Sequence, residues 1–140
     1  RHDYHIEDTV EAGLVLTGTE VKSLRLGHVN LRDSYAEIRS GEAWLVNAHI
    51  SPYAQGNRFN HEPRRARKLL LHKRELARLT GQVVQRGFTL VPLRMYWSRG
   101  RAKVELALAR GKREYDKRRD LAERESERAM ARAVRGEKML

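Results

Sequence analysis

The apolar positions in the first three quarters of the chain recur mostly with a period of two, which is typical of half-buried β-strands. The clearest example is the series Val104, Leu106 and Leu108. The same alternation predicts five strands, two pairs of which are joined by short glycine-containing turns: residues 2–16, 34–39, 43–50, 88–97 and 101–109.

The pattern also predicts where a strand is interrupted and which side chains share a face. Ala12 and Gly13 are expected to break the first strand, because glycine weakens a strand and often marks an irregularity. In the strand over residues 43–50, alternation places four apolar side chains on one face: Trp44, Val46, Ala48 and Ile50.

Two helices are predicted between the strands. Thr17 or Thr19 can cap a short helix that ends at Gly27. Farther along, a helix of about three turns is expected after Leu71, because apolar residues recur there at helical spacing: Leu76, Leu79 and Val83. Short strands interrupted by short helices predict a mainly β fold with flanking helices, a small barrel rather than a parallel sheet.

From residue 110 onward, large apolar residues become rare, while Ala, Glu, Arg and Lys favour a helix. Leu121, Met130 and Val134 do not form a continuous stripe, so such a helix would be marginal without tertiary packing. We therefore predict two parts. Residues 1–109 form the barrel, and residues 110–140 form a basic tail that is mobile alone and becomes helical against a partner.

The charge of the chain points to a polyanionic partner. The formal net charge is +11, and both parts are positive, with 18 Lys/Arg against 11 Asp/Glu in the first and 11 against 7 in the second. Neutralising phosphates releases counterions and supplies affinity for nucleic acid. A dense basic run beside the aromatic Phe59 suits RNA, although a solvated run leading into a helix is the alternative interpretation: Arg64, Arg65, Arg67 and Lys68.

Catalysis and membrane insertion find little support. Cysteine is absent, which excludes thiol nucleophiles, disulfides and thiolate metal sites and fits the cytoplasm. His2 and His5 lack acidic co-ligands, so we expect no metal and no cofactor. The apolar runs are too short for a membrane span, and no secretory leader opens the chain. A ribonuclease that uses His49, His61 and His72 is the enzyme hypothesis left open, but nothing in their spacing favours it.

Five sequence blocks, in the family's order and spacing, together resemble the SmpB family, the bacterial SsrA-binding proteins: EAGLVLTGTEVKSLR (11–25), DSYA (33–36), AHISPY (48–53), RKLLLHKREL (67–76) and ARGKREYDKR (109–118). The resemblance implies an oligonucleotide-binding-like β-barrel and an RNA-binding adaptor that is not an enzyme. It implies binding to the tRNA-like domain of transfer-messenger RNA (tmRNA) and delivery of that RNA to stalled ribosomes in trans-translation. Elongation factor Tu and alanyl-tRNA synthetase are implied as indirect partners of a cytoplasmic monomer.

The resemblance also implies roles for individual residues. The family's tmRNA contacts match four positions of the barrel and two at the base of the tail: Glu11, Leu70, His72, Lys103, Arg110 and Lys112. Its tail motif for the small-subunit decoding centre and the empty mRNA channel matches Gly111, Arg113, Tyr115, Asp116, Lys117 and Arg118. At position 115, where some relatives have histidine, tyrosine keeps a ring for stacking but has no titratable nitrogen.

Glu11 is unusual in a basic RNA surface. A carboxylate repels phosphates, yet it accepts hydrogen bonds from base N–H groups or a 2′-hydroxyl. The alternative interpretation is an ordinary surface glutamate. For the whole chain, the alternative to an adaptor is a constitutive ribosomal protein that binds ribosomal RNA.

Overall fold

The computed structural model describes residues 4–111, so the predicted state of the tail beyond Gly111 lies outside the described residues. Along this part of the chain follow β1 (Tyr4–Leu14), α1 (Gly18–Arg25), β2 (Val29–Asn30), β3 (Tyr35–Arg39), β4 (Glu42–Val46), β5 (His49–Ile50), a 3₁₀-helix (Ala54–Phe59), β6 (Arg67–Leu70), α2 (Lys73–Arg86), β7 (Thr89–Ser98) and β8 (Arg101–Gly111).

Six strands form a closed barrel in the order β1-β6-β4-β3-β7-β8, and β2 pairs with β5 in a separate two-stranded sheet. The barrel is filled by inward side chains, among them Leu45, Leu90, Val104 and Leu106, which are fully buried. The predicted fold class, mainly β with flanking helices around a small barrel, is confirmed. In the part of the chain that the structure describes, neither helix is long and apolar enough to cross a membrane.

Residues 6–109 form one compact unit. The second unit contains residues 1–5 and 110–140, and of these the structure describes strand residues 4, 5, 110 and 111. The predicted division at residue 109 therefore stays a prediction.

Both predicted helices are present, and their ends follow from local chemistry. Thr17 precedes α1, and its backbone N–H donates to the Glu20 carboxylate at 2.8 Å, as in a capping box. Gly27, just past the end of α1, has a φ of +75°, which glycine adopts without steric cost. Helix α2 buries Leu79 against the barrel and ends at Gly87, which is also left-handed.

The predicted break in the first strand is wrong. Strand β1 continues to Leu14, and Gly13 pairs with Leu70 of β6. A Cβ atom at residue 13 would lie only 3.3 Å from the Cβ of Leu70, so the Leu70 side chain uses the space that glycine leaves. Glycine here marks a close approach between neighbouring strands rather than an interruption.

The predicted shared face in residues 43–50 is also wrong. Asn47 has a φ of +65°, lies beyond the end of β4 and shifts the alternation by one position. Trp44 and Val46 are therefore only half-buried. The buried side chains of this stretch are instead Ala43, Leu45, Ala48 and Ile50.

Candidate RNA interface

A groove of about 810 Å³ opens where the ends of β1 and β6 meet the turn between β7 and β8. Its lining includes four of the predicted RNA contacts, which come from four separate parts of the sequence. Glu11 lies on β1, Leu70 on β6, His72 at the N-cap of α2 and Lys103 on β8. The fold therefore assembles one site from residues that are far apart along the chain.

Strand alternation explains why these side chains point outward. Glu11 and Leu70 are exposed, whereas the next residue on β1 and the preceding one on β6 are buried. Lys103 is half-buried between two buried neighbours on β8. Because successive residues of a strand face opposite sides, all three side chains project away from the core. Closure of the barrel brings β1 beside β6 on one side and β8 on the other.

The Glu11 carboxylate is held by two neighbours. The Tyr96 hydroxyl donates a hydrogen bond to Glu11 Oε2, and Lys103 Nζ lies 3.9 Å from Oε1. The hydrogen bond with Glu11 is the main reason that the pKa of Tyr96 is raised above its ordinary value. The site thus presents a carboxylate, an acceptor of hydrogen bonds, beside a cation that offsets its repulsion of phosphate.

Large apolar side chains are exposed in the same groove. Leu70 is 52% exposed and Trp97 38% exposed, which is unusual for residues of this size. The guanidinium of Arg25 lies 4.8 Å from the centre of the Trp97 ring. Exposed aromatic and apolar surface between cations suits unstacked bases of RNA.

The turn between β7 and β8 adds two cations that sequence reasoning missed. Arg99, with a φ of +52°, and Gly100 form the turn, and Arg101 begins β8. Arg99, Arg101 and Lys103 line a second cavity of about 580 Å³ that also reaches Glu11. Two arginines around a turn glycine, separated from the Tyr96–Trp97 pair by Ser98 alone, are the signal that could have indicated this surface.

The predicted basic run does not line the groove. Arg64 is exposed and donates to the backbone and side-chain oxygens of Asn47, each at 3.2 Å. Lys68 lies 3.5 Å from Glu42, and both side chains are largely exposed. Arg64 and Lys68 therefore remain available for phosphate elsewhere on the surface.

Arg67 requires a correction, because its side chain is fully buried and meets Glu20, which is also fully buried. Its Nε donates to Glu20 Oε2 at 2.7 Å, and its two terminal nitrogens donate to the carbonyl oxygens of Ala48 and Pro63 at 2.6 and 3.0 Å. A guanidinium used in this way has no surface to offer RNA. We therefore remove Arg67 from the predicted contacts.

Arg65 is shared between the surface and the same buried cluster. Its side chain is 36% exposed, and its terminal nitrogen lies 2.5 Å from Glu20 Oε1. Burial would raise the pKa of the Glu20 carboxyl, but hydrogen bonds from Arg65, the Thr17 amide and Arg67 outweigh it and hold that pKa below its ordinary value. The cluster thus joins the start of α1 to the start of β6.

The three histidines proposed for a ribonuclease lie in separate parts of the fold. His61 Nε2 lies 2.8 Å from the Ile50 carbonyl oxygen, which can only accept, so Nε2 donates. His61 Nδ1 then accepts from the Thr19 hydroxyl at 2.8 Å. His61 therefore anchors its loop, while His49 lies in β5 and His72 in the groove. Within the described residues, no three His, Cys, Asp or Glu side chains cluster as a metal site would require.

The predicted tail residues are mostly outside the described part. Arg110, half-buried, and Gly111 end β8. The remaining calls lie beyond it: Lys112, Arg113, Tyr115, Asp116, Lys117 and Arg118.

Comparison with known proteins gives consistent matches over nearly the whole chain. Residues 1–136 match the family model described as SmpB protein. The SsrA-binding protein of Desulforudis audaxviator is 65% identical over 136 residues, covering 97% of this chain and 89% of that protein. The SsrA-binding protein of Symbiobacterium thermophilum is 65% identical over 137 residues, covering 97% and 87%. A solved structure described as "tmRNA-SmpB: a journey to the center of the bacterial ribosome" is 58% identical, with a TM-score of 0.67 over 80% of this chain and 79% of its own.

Proposed function

The chain belongs to the SmpB family, and from this premise we propose that it is an RNA-binding adaptor that binds the tRNA-like domain of tmRNA and brings it to stalled ribosomes in trans-translation. The observation that carries the proposal is the convergence of Glu11, Leu70, His72 and Lys103 in one groove. Positions that the family resemblance indicated separately are neighbours in space.

The groove offers each chemical feature of an RNA nucleotide a complementary group. Lys103 and Arg101 supply cations for backbone phosphates. Leu70 and Trp97 supply apolar surface for a base, and Glu11 supplies an acceptor for a base N–H or a 2′-hydroxyl. The combination suits a folded RNA with exposed bases better than a regular duplex, whose bases are stacked and paired.

The tail supplies the second half of the proposal. Arg110 and Lys112 extend the grip on tmRNA, and residues 113–118 meet the decoding centre of the small ribosomal subunit. A basic, helix-forming tail can lie along an empty, phosphate-lined mRNA channel, whereas a channel filled with message excludes it. Elongation factor Tu and alanyl-tRNA synthetase then act on the same RNA without contacting this chain, which works as a monomer in the bacterial cytoplasm.

Binding and positioning account for this role without catalysis. Both ring nitrogens of His61 are engaged in hydrogen bonds, and of the three histidines proposed for a ribonuclease the groove is lined by His72 and not by His49 or His61. We therefore propose that RNA passes through the complex uncleaved. Incubation with labelled tmRNA should leave its length unchanged.

Replacing Glu11 with alanine should weaken binding to the tRNA-like domain by about 10- to 100-fold, which is the usual range for a hydrogen bond to a charged group. The dependence of affinity on salt should stay unchanged, because Glu11 contacts no phosphate. Lys103→Ala should instead reduce the slope of log affinity against log salt by about 1. Filter binding of the in vitro transcribed domain at several salt concentrations measures both quantities.

Glu37→Ala provides the matched control, because Glu37 is a partly exposed carboxylate on β3 that, like Glu11, lies beside a cation, in this case Arg39. It should leave affinity unchanged. Tighter RNA binding by Glu11→Ala would mean that Glu11 merely repels phosphate. RNA that co-purifies with the wild-type chain should be enriched in tmRNA, whereas recovery of ribosomal RNA alone would favour the constitutive ribosomal protein.

A further inference from the structure

We propose that Tyr96 is a positioning residue of the RNA groove, which fixes the Glu11 carboxylate so that it accepts a hydrogen bond from one donor group of the RNA. The inference rests on the proposed function, and it adds a residue to which neither the sequence pattern nor the family resemblance gave a role. The donor is either a base N–H or a 2′-hydroxyl, since both offer the same chemistry to a carboxylate.

The barrel places Tyr96 where it can reach Glu11. Tyr96 on β7 pairs in register with Lys103 on β8, and β8 is the last strand before the barrel closes on β1. All three side chains lie on the outer side of the barrel. The tyrosine is long enough to span β8, and its hydroxyl meets Glu11 Oε2 on the far side.

The tyrosine ring is itself held between charged neighbours. The guanidinium of Arg94 lies 4.4 Å from the ring centre, and Arg94 Nε lies 3.4 Å from Glu105 Oε1. Interactions therefore run from Glu105 through Arg94 and Tyr96 to Glu11. Each member restrains the next on an otherwise open surface.

This arrangement decides what Glu11 can bind. The glutamate side chain is 54% exposed and, alone, would have to lose its rotamer freedom on binding RNA. Tyr96 restrains it beforehand with a donor that carries no positive charge and so attracts no phosphate. With Oε2 engaged by Tyr96, Oε1 faces the cavity lined by Lys103 and accepts from the RNA. Preorganisation of this kind improves affinity without adding a contact.

Tyr96→Phe removes only the hydroxyl and tests the proposal. Binding to the tRNA-like domain should weaken by about fivefold to tenfold, as expected when one rotamer-rich side chain is no longer restrained before binding. The salt slope, the thermal midpoint and the affinity for an unstructured RNA of equal length should not change. In a Glu11→Gln background, the same substitution should not weaken RNA binding any further, because the effects of substituting two residues that act through one contact are not additive.

Tyr35→Phe is the control, since Tyr35 is an exposed tyrosine on β3 outside the groove. Equal losses from Tyr96→Phe in the wild-type and Glu11→Gln backgrounds would overturn the proposal, as would no loss in either. NMR of the tyrosine rings checks the contact without RNA: Glu11→Gln should bring the raised pKa of Tyr96 back toward its ordinary value. A wild-type chain that does not prefer the tRNA-like domain would defeat the proposed function while leaving this NMR result intact.

Single-site changes in the RNA identify the donor. If the effect of Tyr96→Phe disappears at one 2′-deoxy position, the ribose hydroxyl is the donor. If it disappears only on substitution of one base, a base N–H is the donor. An effect that survives every single-site change would overturn recognition of an RNA donor by Glu11.

Discussion

Replacing Glu20 with glutamine should lower the free energy of unfolding by about 3–5 kcal/mol, the usual cost of removing one partner from a buried ion pair. Glu20 and Arg67 are both fully buried, and Arg65 completes the cluster. Glutamine keeps the size of the side chain but leaves the Arg67 guanidinium as a buried charge without a counter-ion. Urea unfolding followed by tryptophan fluorescence measures the change without adding salt.

The exposed pair between Glu37 and Arg39 supplies the control. Its two atoms are 2.5 Å apart, as close as those of the buried pair, but 32% and 59% of the two side chains are exposed. Glu37→Gln should therefore cost less than about 1 kcal/mol. Equal costs at the two sites would show that burial is not what makes the Glu20 cluster important.

The pH dependence has a definite sign. Because the pKa of Glu20 is lower in the folded state, the unfolded chain binds its proton at a higher pH. The stability that Glu20 contributes is therefore complete above the unfolded pKa of about 4.3 and declines as pH falls through the folded value. The difference between wild type and Glu20→Gln should be constant near neutrality and shrink in acid. A difference that grows below about pH 4 would contradict this assignment.

The Glu20 cluster shows where sequence reasoning stopped short. The basic residues beside an aromatic ring predict a run that faces RNA, but the alternation of β6 predicts a different place for one of them. Leu69 is an inward residue of β6, so period two also places Arg67 inward. The inward orientation of Arg67 can therefore be predicted from the sequence. Its partner cannot, because Glu20 lies 47 residues away, and only the packing of α1 against the barrel brings the two together.

The groove likewise combines features that the sequence predicts with features that it does not. Strands β1, β3, β4, β7 and β8, both helices and the mainly β class follow from local periodicity, which depends on neighbouring residues alone. Strands β2 and β6 are not predicted, and β5 is merged with β4 in the predicted strand over residues 43–50. Glu11, Leu70, His72 and Lys103 came from the family resemblance, and their adjacency depends on closure of the barrel. Closure is a long-range property, so nothing near Tyr96 in the sequence indicates that its hydroxyl reaches Glu11.

Local exceptions explain the two wrong strand predictions. The residue pattern continues its alternation through Asn47. The left-handed backbone of Asn47, however, shifts by one position which side chains face the core. Gly13 is retained within β1 because Leu70 lies against it. Glycine and asparagine are both common in turns. Asn47 does lie in a bend after β4, whereas the pairing of β1 with β6 keeps Gly13 within a strand.

Removing residues 113–140 should abolish tagging on stalled ribosomes while leaving affinity for the tRNA-like domain within about twofold, as expected for distant and independent sites. The cut follows from the fold. Strand β8 runs to Gly111, so a chain that ends at Lys112 keeps the barrel, Arg110 and Lys112. What it loses is the basic, helix-forming segment proposed for the mRNA channel. Filter binding measures the first quantity, and a reconstituted translation system with a message lacking a stop codon measures the second.

A tail of the same composition in scrambled order separates charge from sequence. It keeps the net positive charge and the helix-forming residues but displaces Tyr115 and the Asp-Lys-Arg motif at 116–118. If those residues meet the decoding centre, the scrambled chain should bind tmRNA and fail to support tagging, like the truncated one. Tagging by the scrambled chain would reduce the role of the tail to electrostatic attraction. A truncated chain that bound the tRNA-like domain as weakly as Glu11→Ala would place the tail in the RNA grip instead, and the division of labour between barrel and tail would be wrong.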